Sequence, residues 1–216
     1  MKVNNIKNIT RGFFGWALIG CLLVSVVGHA ALAASDAPPV RVLRQASQSV
    51  LQELVRNKAA ARRDPRVLYS LVKRILLPHF AVEVMALSVV GRAHWLRATP
   101  QQRQRFVQEF VKLVTKTYST ALSSYQNQQI RFLPMRGGTQ GRRRVEVHSR
   151  IVHPGGGPAI PVDYRLIRSK GRWLVYDFSV DEVSLVRSYR SQFSSVLNQG
   201  GLPALLQRLI KHNKAP

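Results

Sequence analysis

Apolar positions along this chain follow two periods, and the change of period divides it into a helical part and a β part. Over residues 40–61, Val42/Leu43, Ala46, Val50/Leu51 and Leu54/Val55 recur at helical spacing without Gly or Pro, which predicts a helix. Residues 36–39 read as a flexible lead-in. Asp64 and Pro65 supply an N-cap and an N1 proline for a helix through Leu68, Leu71, Val72, Ile75 and Leu76, which Pro78 ends or kinks. Residues 79–90 predict a short apolar helix closed by Gly91. Thr99-Pro100-Gln101-Gln102 is a capping box with proline at N1. Behind it, Phe106, Phe110, Leu113/Val114, Thr117/Tyr118, Ala121/Leu122 and Tyr125 line one side of a helix. Arg103, Arg105, Gln108, Glu109, Lys112 and Lys116 line the other. Drawn over residues 100–125, that helix is about 39 Å long, enough to cross a sheet.

Period two then takes over. Residues 130–135 predict a short strand, and over 144–152 Val145, Val147 and Ile151 alternate with Glu146, His148 and Arg150. Val162, Tyr164 and Leu166 share one face of a third strand, and Leu174, Tyr176, Phe178 and Val180 one face of a fourth. Ser169-Lys170-Gly171-Arg172 between them suits a tight hairpin. After Val180, Val183, Val186, Tyr189, Arg190, Phe193 and Leu197 return to helical spacing, and Gly200-Gly201 precedes a last helix over 202–212. The order predicts an α+β fold: a curved four-stranded antiparallel sheet with helices packed over its concave face. What the apolar strand faces meet, a packed core or a pocket, is the functional question.

Composition adds a compartment and a charge. Lys2, Lys7 and Arg11 precede an apolar run over residues 13–27, and Ala31-Leu32-Ala33 has the small-x-small form of a cleavage site. Residues 1–33 therefore read as a cleavable signal peptide and 34–216 as a single domain. The apolar run is shorter than the roughly 20 residues of a spanning helix. Leu18-Ile19-Gly20-Cys21 has the form of a lipoprotein box, but the residues after Cys21 stay apolar where a tether is polar. Cleavage near Ala33 would remove the one cysteine, and with it any disulfide or thiolate chemistry. Three of the 33 basic residues and none of the 10 acidic ones precede residue 34, leaving a formal charge of +20. In an exported protein that charge points to anionic lipid or an acidic docking partner rather than nucleic acid. Arg142-Arg143-Arg144 reads as a solvated hairpin loop rather than an RNA-binding run.

Catalytic patterns are missing. The histidines after residue 33, His79, His94, His148, His153 and His212, form no metalloprotease helix, and His148 and His153 lack carboxylates at ligand spacing. Asp181-Glu182 suits a helix N-terminus better than acid–base work. No serine sits in a nucleophile elbow and no glycine-rich loop opens a helix. The expectation is a protein that is not an enzyme, with no cofactor and no metal.

Several segments together resemble the MlaC family of periplasmic phospholipid carriers, also called toluene-tolerance auxiliary components. They are Asp64-Pro65, Leu76-Leu77-Pro78, Val90-Gly91-Arg92, Trp95, Ala98 through Arg103, Phe106, Phe110, Tyr118 and Tyr125, then Trp173 through Asp177, Val183-Ser184, Tyr189-Arg190 and Phe193. The resemblance spans nearly all of 34–216. One departure is Glu182, where the family usually has Gly before Val-Ser. A hopanoid-associated branch carrying another lipid, and a periplasmic hydrolase on the same scaffold, are the alternatives.

The resemblance implies a nuclear-transport-factor-2-like fold enclosing an apolar cavity for phospholipid tails, with the head group at its mouth. It implies a monomer in the Gram-negative periplasm that shuttles lipid between outer and inner membranes and maintains outer-membrane lipid asymmetry. Its partners would be an outer-membrane lipoprotein–porin complex and an inner-membrane ABC transporter with a substrate-binding ring. The faces identified above give pocket candidates: Met85, Val89, Phe110, Val114, Tyr118, Leu122, Val147, Ile151, Tyr164, Leu166, Tyr176 and Phe178. About half of these are expected to be plain core. A charge at Tyr118 or Leu166 is expected to abolish lipid retention and spare the fold. Head-group or docking candidates are Arg92, Arg97, Arg142, Arg143 and Arg144.

Overall fold

Residues 36–123 and 127–214 are described by the computed structural model, with backbone alone at residues 62, 65 and 119–123. The expected signal segment 1–33, with Cys21, and Tyr125 lie outside the described residues. Helix α1 (Pro38–Arg56) begins earlier than its periodicity predicts, with prolines in its first turn, where a missing N–H is harmless. Asp36 is no loose lead-in: hydrogen bonding to Arg44 holds its carboxyl below the usual carboxylate range. The helix expected over 40–61 breaks at Asn57 (φ −106°, ψ 14°), whose side-chain amide donates to the Glu53 carbonyl at 2.9 Å. Helix α2 (Lys58–Arg63) follows. Helix α3 (Pro65–Leu71) starts where predicted, with the Arg66 N–H donating to the Asp64 carboxylate at 2.9 Å.

Beyond α3 the chain stops being α-helical. Val72–Leu76 widens into a π-turn, Leu77–His79 tightens into a 3-10 turn, and Phe80 is extended. Pro78 has no N–H to continue the ladder, and its ring crowds the turn before it. The helix expected over 79–90 is thereby reduced to α4 (Val82–Val90), ended by Gly91. Helices α5 (Arg92–Arg97) and α6 (Pro100–Ser123) follow. The capping box at the start of α6 forms as predicted. The Gln102 N–H donates to the Thr99 hydroxyl at 3.2 Å, and the Thr99 N–H to the Gln102 side chain at 2.9 Å.

Strands β1 (Gln129–Phe132), β2 (Arg144–Val152), β3 (Ile160–Ser169), β4 (Arg172–Val180) and β5 (Val183–Ser184) pair antiparallel in chain order. The α+β meander stands as expected, with one short strand more than the four predicted. Val183 and Ser184 pair with β4, so α7 (Leu185–Lys214) starts at Leu185. It breaks at Gly201 (φ 64°, ψ −162°), and a Cβ on Gly200 would lie 2.6 Å from that of Ala204, so this glycine pair has no substitute.

The β3–β4 register corrects one sequence expectation. Arg165 opposes Asp177, but Leu166 opposes Val175, so Tyr176 is an inserted residue. Phe178 and Val180 still oppose Tyr164 and Val162. Leu174 instead opposes Ile167, which opposes Arg144 on β2. The Arg144 guanidinium lies 5.5 Å from the Tyr176 ring. A single inserted residue flips the faces that follow it.

Beside a small cluster in which Val50 and Leu54 of α1 meet Leu68 and Leu71 of α3, two larger apolar clusters form the core. In the first, α4, α6 and α7 pack through Met85, Val89, Phe106, Phe110, Tyr189 and Phe193. The Phe106 and Phe110 rings stack at 5.6 Å, and Phe110 meets Tyr189 edge-on at 5.3 Å. In the second, Val40 and Leu43 of α1 cover Val145, Val147, Leu166, Trp173 and Val175 of the sheet.

Glu109 lies on the face of α6 expected to meet solvent, yet it is 2 % exposed. The end of α7 covers it, with the Asn213 amide donating to its carboxylate at 2.8 Å and its carbonyl at 2.9 Å. Burial alone would raise its pKa. Bonds from Asn213 and Lys112, with the charges of Lys112 and Arg105, outweigh burial and hold it below its ordinary value. A depressed pKa stabilises the fold above the ordinary glutamate value, and that stability is lost as pH falls through the lower, folded-state value. Asn213→Ala is expected to cost about 1–2 kcal/mol at neutral pH. Urea unfolding across the acid range should show the gap to wild type shrinking as Glu109 protonates.

The turn between β4 and β5 holds the departure seen at Glu182. Asp181 and Glu182 take φ of 49° and 65° between the paired Val180 and Val183. A side chain in this left-handed region costs about 1–2 kcal/mol. Glu182→Gly is therefore expected to stabilise the fold by about 0.5–1 kcal/mol, part of the relief being offset by a freer unfolded chain. Thermal unfolding measures it.

Candidate functional site

Half-buried aromatic side chains run between the two clusters. Phe80 packs against both. Its position follows from the irregular turns around Pro78: Phe80 bridges to Val175 on the sheet edge, and the Ala81 N–H donates to the Val175 carbonyl at 2.8 Å. The Phe80 ring meets Phe178 edge-on at 6.4 Å, and Phe178 meets Tyr118 of α6 at 6.1 Å. Tyr164 opposes Phe178 on the neighbouring strand and lies 6.1 Å from Phe132. Burial pushes the Tyr118 phenol up, with Tyr189 adding to it. Burial does the same to Tyr164, against a hydrogen bond with Ser149. Both stay neutral phenols at physiological pH, so the line carries no charge.

The twelve expected pocket residues divide along this line. Met85, Val89, Phe110, Val147 and Leu166 are buried inside one cluster or the other. Tyr118, Tyr164 and Phe178 lie together on the line, and Val114 flanks it against the helical cluster. Half-buried Ile151 sits toward the sheet edge between Ile130 and Ile160. Tyr176, inserted at the bulge, packs against the helical cluster as Val114, Tyr118 and Phe178 do, and the side chain of Leu122 lies outside the described residues. Leu166 is 0 % exposed, so a charge there would cost the fold as well as any ligand. It cannot separate the two effects as expected. Phe80 and Phe132 belong to the line and were not among the candidates. Phe132 alternates with Ile130 on β1, a signal present in the sequence, whereas Phe80 belongs to no periodic run.

Arg92, Arg97, Arg142, Arg143 and Arg144 are all exposed. Arg97 lines a cleft of about 430 Å³ with His94, Thr99, Gln102, Asn198 and Pro203. A second cleft, about 460 Å³, lies among Glu53, Asn57, Asp64, Arg66 and Arg74. None of the twelve expected pocket residues lines either cleft. His148 does have a carboxylate neighbour, contrary to the sequence reading: its Nδ1 lies 2.7 Å from Asp163. Among the described residues no three His, Cys, Asp or Glu side chains come together, and no helix is long and apolar enough to cross a membrane.

The chain is similar to known proteins. The family described as "MlaC protein" matches residues 44–211. The chain is 27% identical over 180 residues to the toluene tolerance protein ttg2D of Pseudomonas putida, covering 83% of this chain and 82% of the relative. It is 23% identical over 186 residues to the intermembrane phospholipid transport system binding protein MlaC of Haemophilus influenzae, covering 85% and 86%. Among solved structures, the phospholipid-binding protein from Ralstonia solanacearum in complex with a phospholipid has a TM-score of 0.69 and 27% identity, over 83% of this chain and 97% of that one.

Proposed function

This chain belongs to the MlaC family, and from that premise we propose that it is a phospholipid carrier, a binding protein rather than an enzyme. Acyl tails occupy the line between the two apolar clusters, and the head group stays in water. One observation carries this reading. A relative of the same fold holds a phospholipid, and the half-buried rings here run between clusters that are each packed without them.

The proposed mechanism is a parting of the clusters. Met85, Val89 and Phe110 stay packed on the helical side, and Val147 and Leu166 on the sheet side. Tyr118, Phe178, Phe80 and Tyr164 exchange ring contacts for contacts with tails. Two acyl chains hold on the order of thirty CH₂ groups at about 0.8 kcal/mol each, roughly 25 kcal/mol of transfer from water. A bilayer offers about the same, so pocket and membrane nearly balance. Escape through water is the slow step, and the carrier sets no direction by itself.

Direction then comes from partners: an outer-membrane lipoprotein–porin complex on one side, an ATP-driven inner-membrane transporter on the other. The place of exchange is the periplasm, reached by cleavage of residues 1–33, and the outcome is outer-membrane lipid asymmetry. Native mass spectrometry of the protein purified from cells tests the reading. One or two bound phospholipids per chain are expected. A chain that is always empty, with no phospholipid in the extracted pool, sinks it.

A further inference from the structure

Arg131 and Arg150 stand directly opposite each other across β1 and β2. Both are exposed, and among the described residues neither makes an ion pair or side-chain hydrogen bond. Directly opposed side chains have Cβ atoms about 5 Å apart, and like charges so placed destabilise the pair. The carboxylates of this sheet face do not quench them. Glu146 and Asp177 engage Arg165 at 3.5 and 2.9 Å, and Asp163 engages His148 at 2.7 Å. Leu133 follows at period two from Arg131, extends the ladder through its N–H to the His148 carbonyl at 2.9 Å, and is 38% exposed. An unquenched cation pair beside an exposed leucine costs stability in a fold that has no internal use for either.

We propose that Arg131, Arg150 and Leu133 form a docking surface for an anionic phospholipid bilayer. Guanidinium groups take phosphate oxygens in two-point hydrogen bonds. The leucine beside them enters the boundary of the acyl region. The chain's excess of Lys and Arg (33 against 10 acidic residues) supplies the long-range attraction to such a surface. The candidate lipid line begins on the opposite face of the same strand. Phe132, beside Arg131, turns to the other face and meets Tyr164 at 6.1 Å.

Co-sedimentation with vesicles of phosphatidylcholine, with and without phosphatidylglycerol, tests this. The wild type should partition to the vesicles containing phosphatidylglycerol and fall off in high salt. Arg131→Gln and Arg150→Gln should each weaken partition about fivefold, and the double variant about 25-fold. At low salt Arg150→Gln should also unfold about 1–2 °C higher, because a repulsion is gone. Several results overturn the proposal. These are undiminished partition of the double variant, equal binding to neutral vesicles, or binding of an acidic protein partner where vesicles fail. A lower unfolding midpoint for Arg150→Gln also overturns it, since the side chain then serves the fold. Surface docking is independent of cargo: an empty chain by native mass spectrometry defeats the carrier reading and leaves this one standing.

Discussion

Tyr118→Asp is expected to give a folded protein that purifies without lipid. Tyr118 is half-buried, and its ring contact is with Phe178 on the line between the clusters. The fold draws instead on Phe106, Phe110 and Leu113 of the same helix, all within the helical cluster. Losing one aromatic edge contact costs about 0.5–1.5 kcal/mol, which a domain of this size survives. Retention is another matter. A short carboxylate among acyl tails has no cationic partner and cannot reach water. Leaving it buried costs several kcal/mol, or protonates it. A penalty of about 3 kcal/mol lowers lipid retention more than a hundredfold. Native mass spectrometry reads the lipid, and circular dichroism with thermal unfolding reads the fold. Full lipid occupancy in a folded Tyr118→Asp protein moves the pocket elsewhere. Leu166→Asp is the contrast, and should fail to fold.

What could be read in advance was local. The Asp64 cap and the Thr99–Gln102 box are short-range hydrogen bonds among neighbouring residues, and both form where the sequence places them. The alternation of β2 survives intact because no residue is inserted there. The break in the alternation of β4 at Tyr176 was not legible because a bulge belongs to a pair of strands, not to one. Glu109 looks like a solvent-facing residue until Asn213, more than a hundred positions later, folds over it. The site was half legible for a related reason. Periodicity says which face of a strand is apolar but not what covers it. Tyr164 and Leu166 share a face of β3, yet Leu166 is sealed under the sheet cluster while Tyr164 keeps partial exposure. Phe80 left no periodic signal, because proline chemistry rather than amphipathicity puts it between the clusters.

The largest loss of stability among the polar positions is expected from Asp177→Ala, about 3–5 kcal/mol. Asp177 is 4% exposed and accepts three hydrogen bonds. They come from Arg165 at 2.9 Å, the Ser184 hydroxyl at 2.7 Å and the Val186 N–H at 3.1 Å. Ser184 in turn accepts the Arg187 N–H at 3.1 Å, so one carboxylate anchors the first turn of α7 to β4. The inserted Tyr176 makes this possible, because the shifted register sets Asp177 opposite Arg165. Alanine leaves a buried N–H and a buried hydroxyl without their acceptor, and leaves Arg165 only Glu146 at 3.5 Å. Each orphaned group costs about 1–3 kcal/mol. Asp177→Asn keeps one oxygen acceptor and should fall between alanine and wild type in urea unfolding. The same anchor positions Tyr189 and Phe193, which hold Phe110 in the helical cluster. Asp177→Asn should therefore also loosen the wall behind Tyr118 and speed lipid loss to acceptor vesicles, although Asp177 is far from any tail in chemistry. An alanine variant less than about 1 kcal/mol below wild type would show that packing alone seats α7.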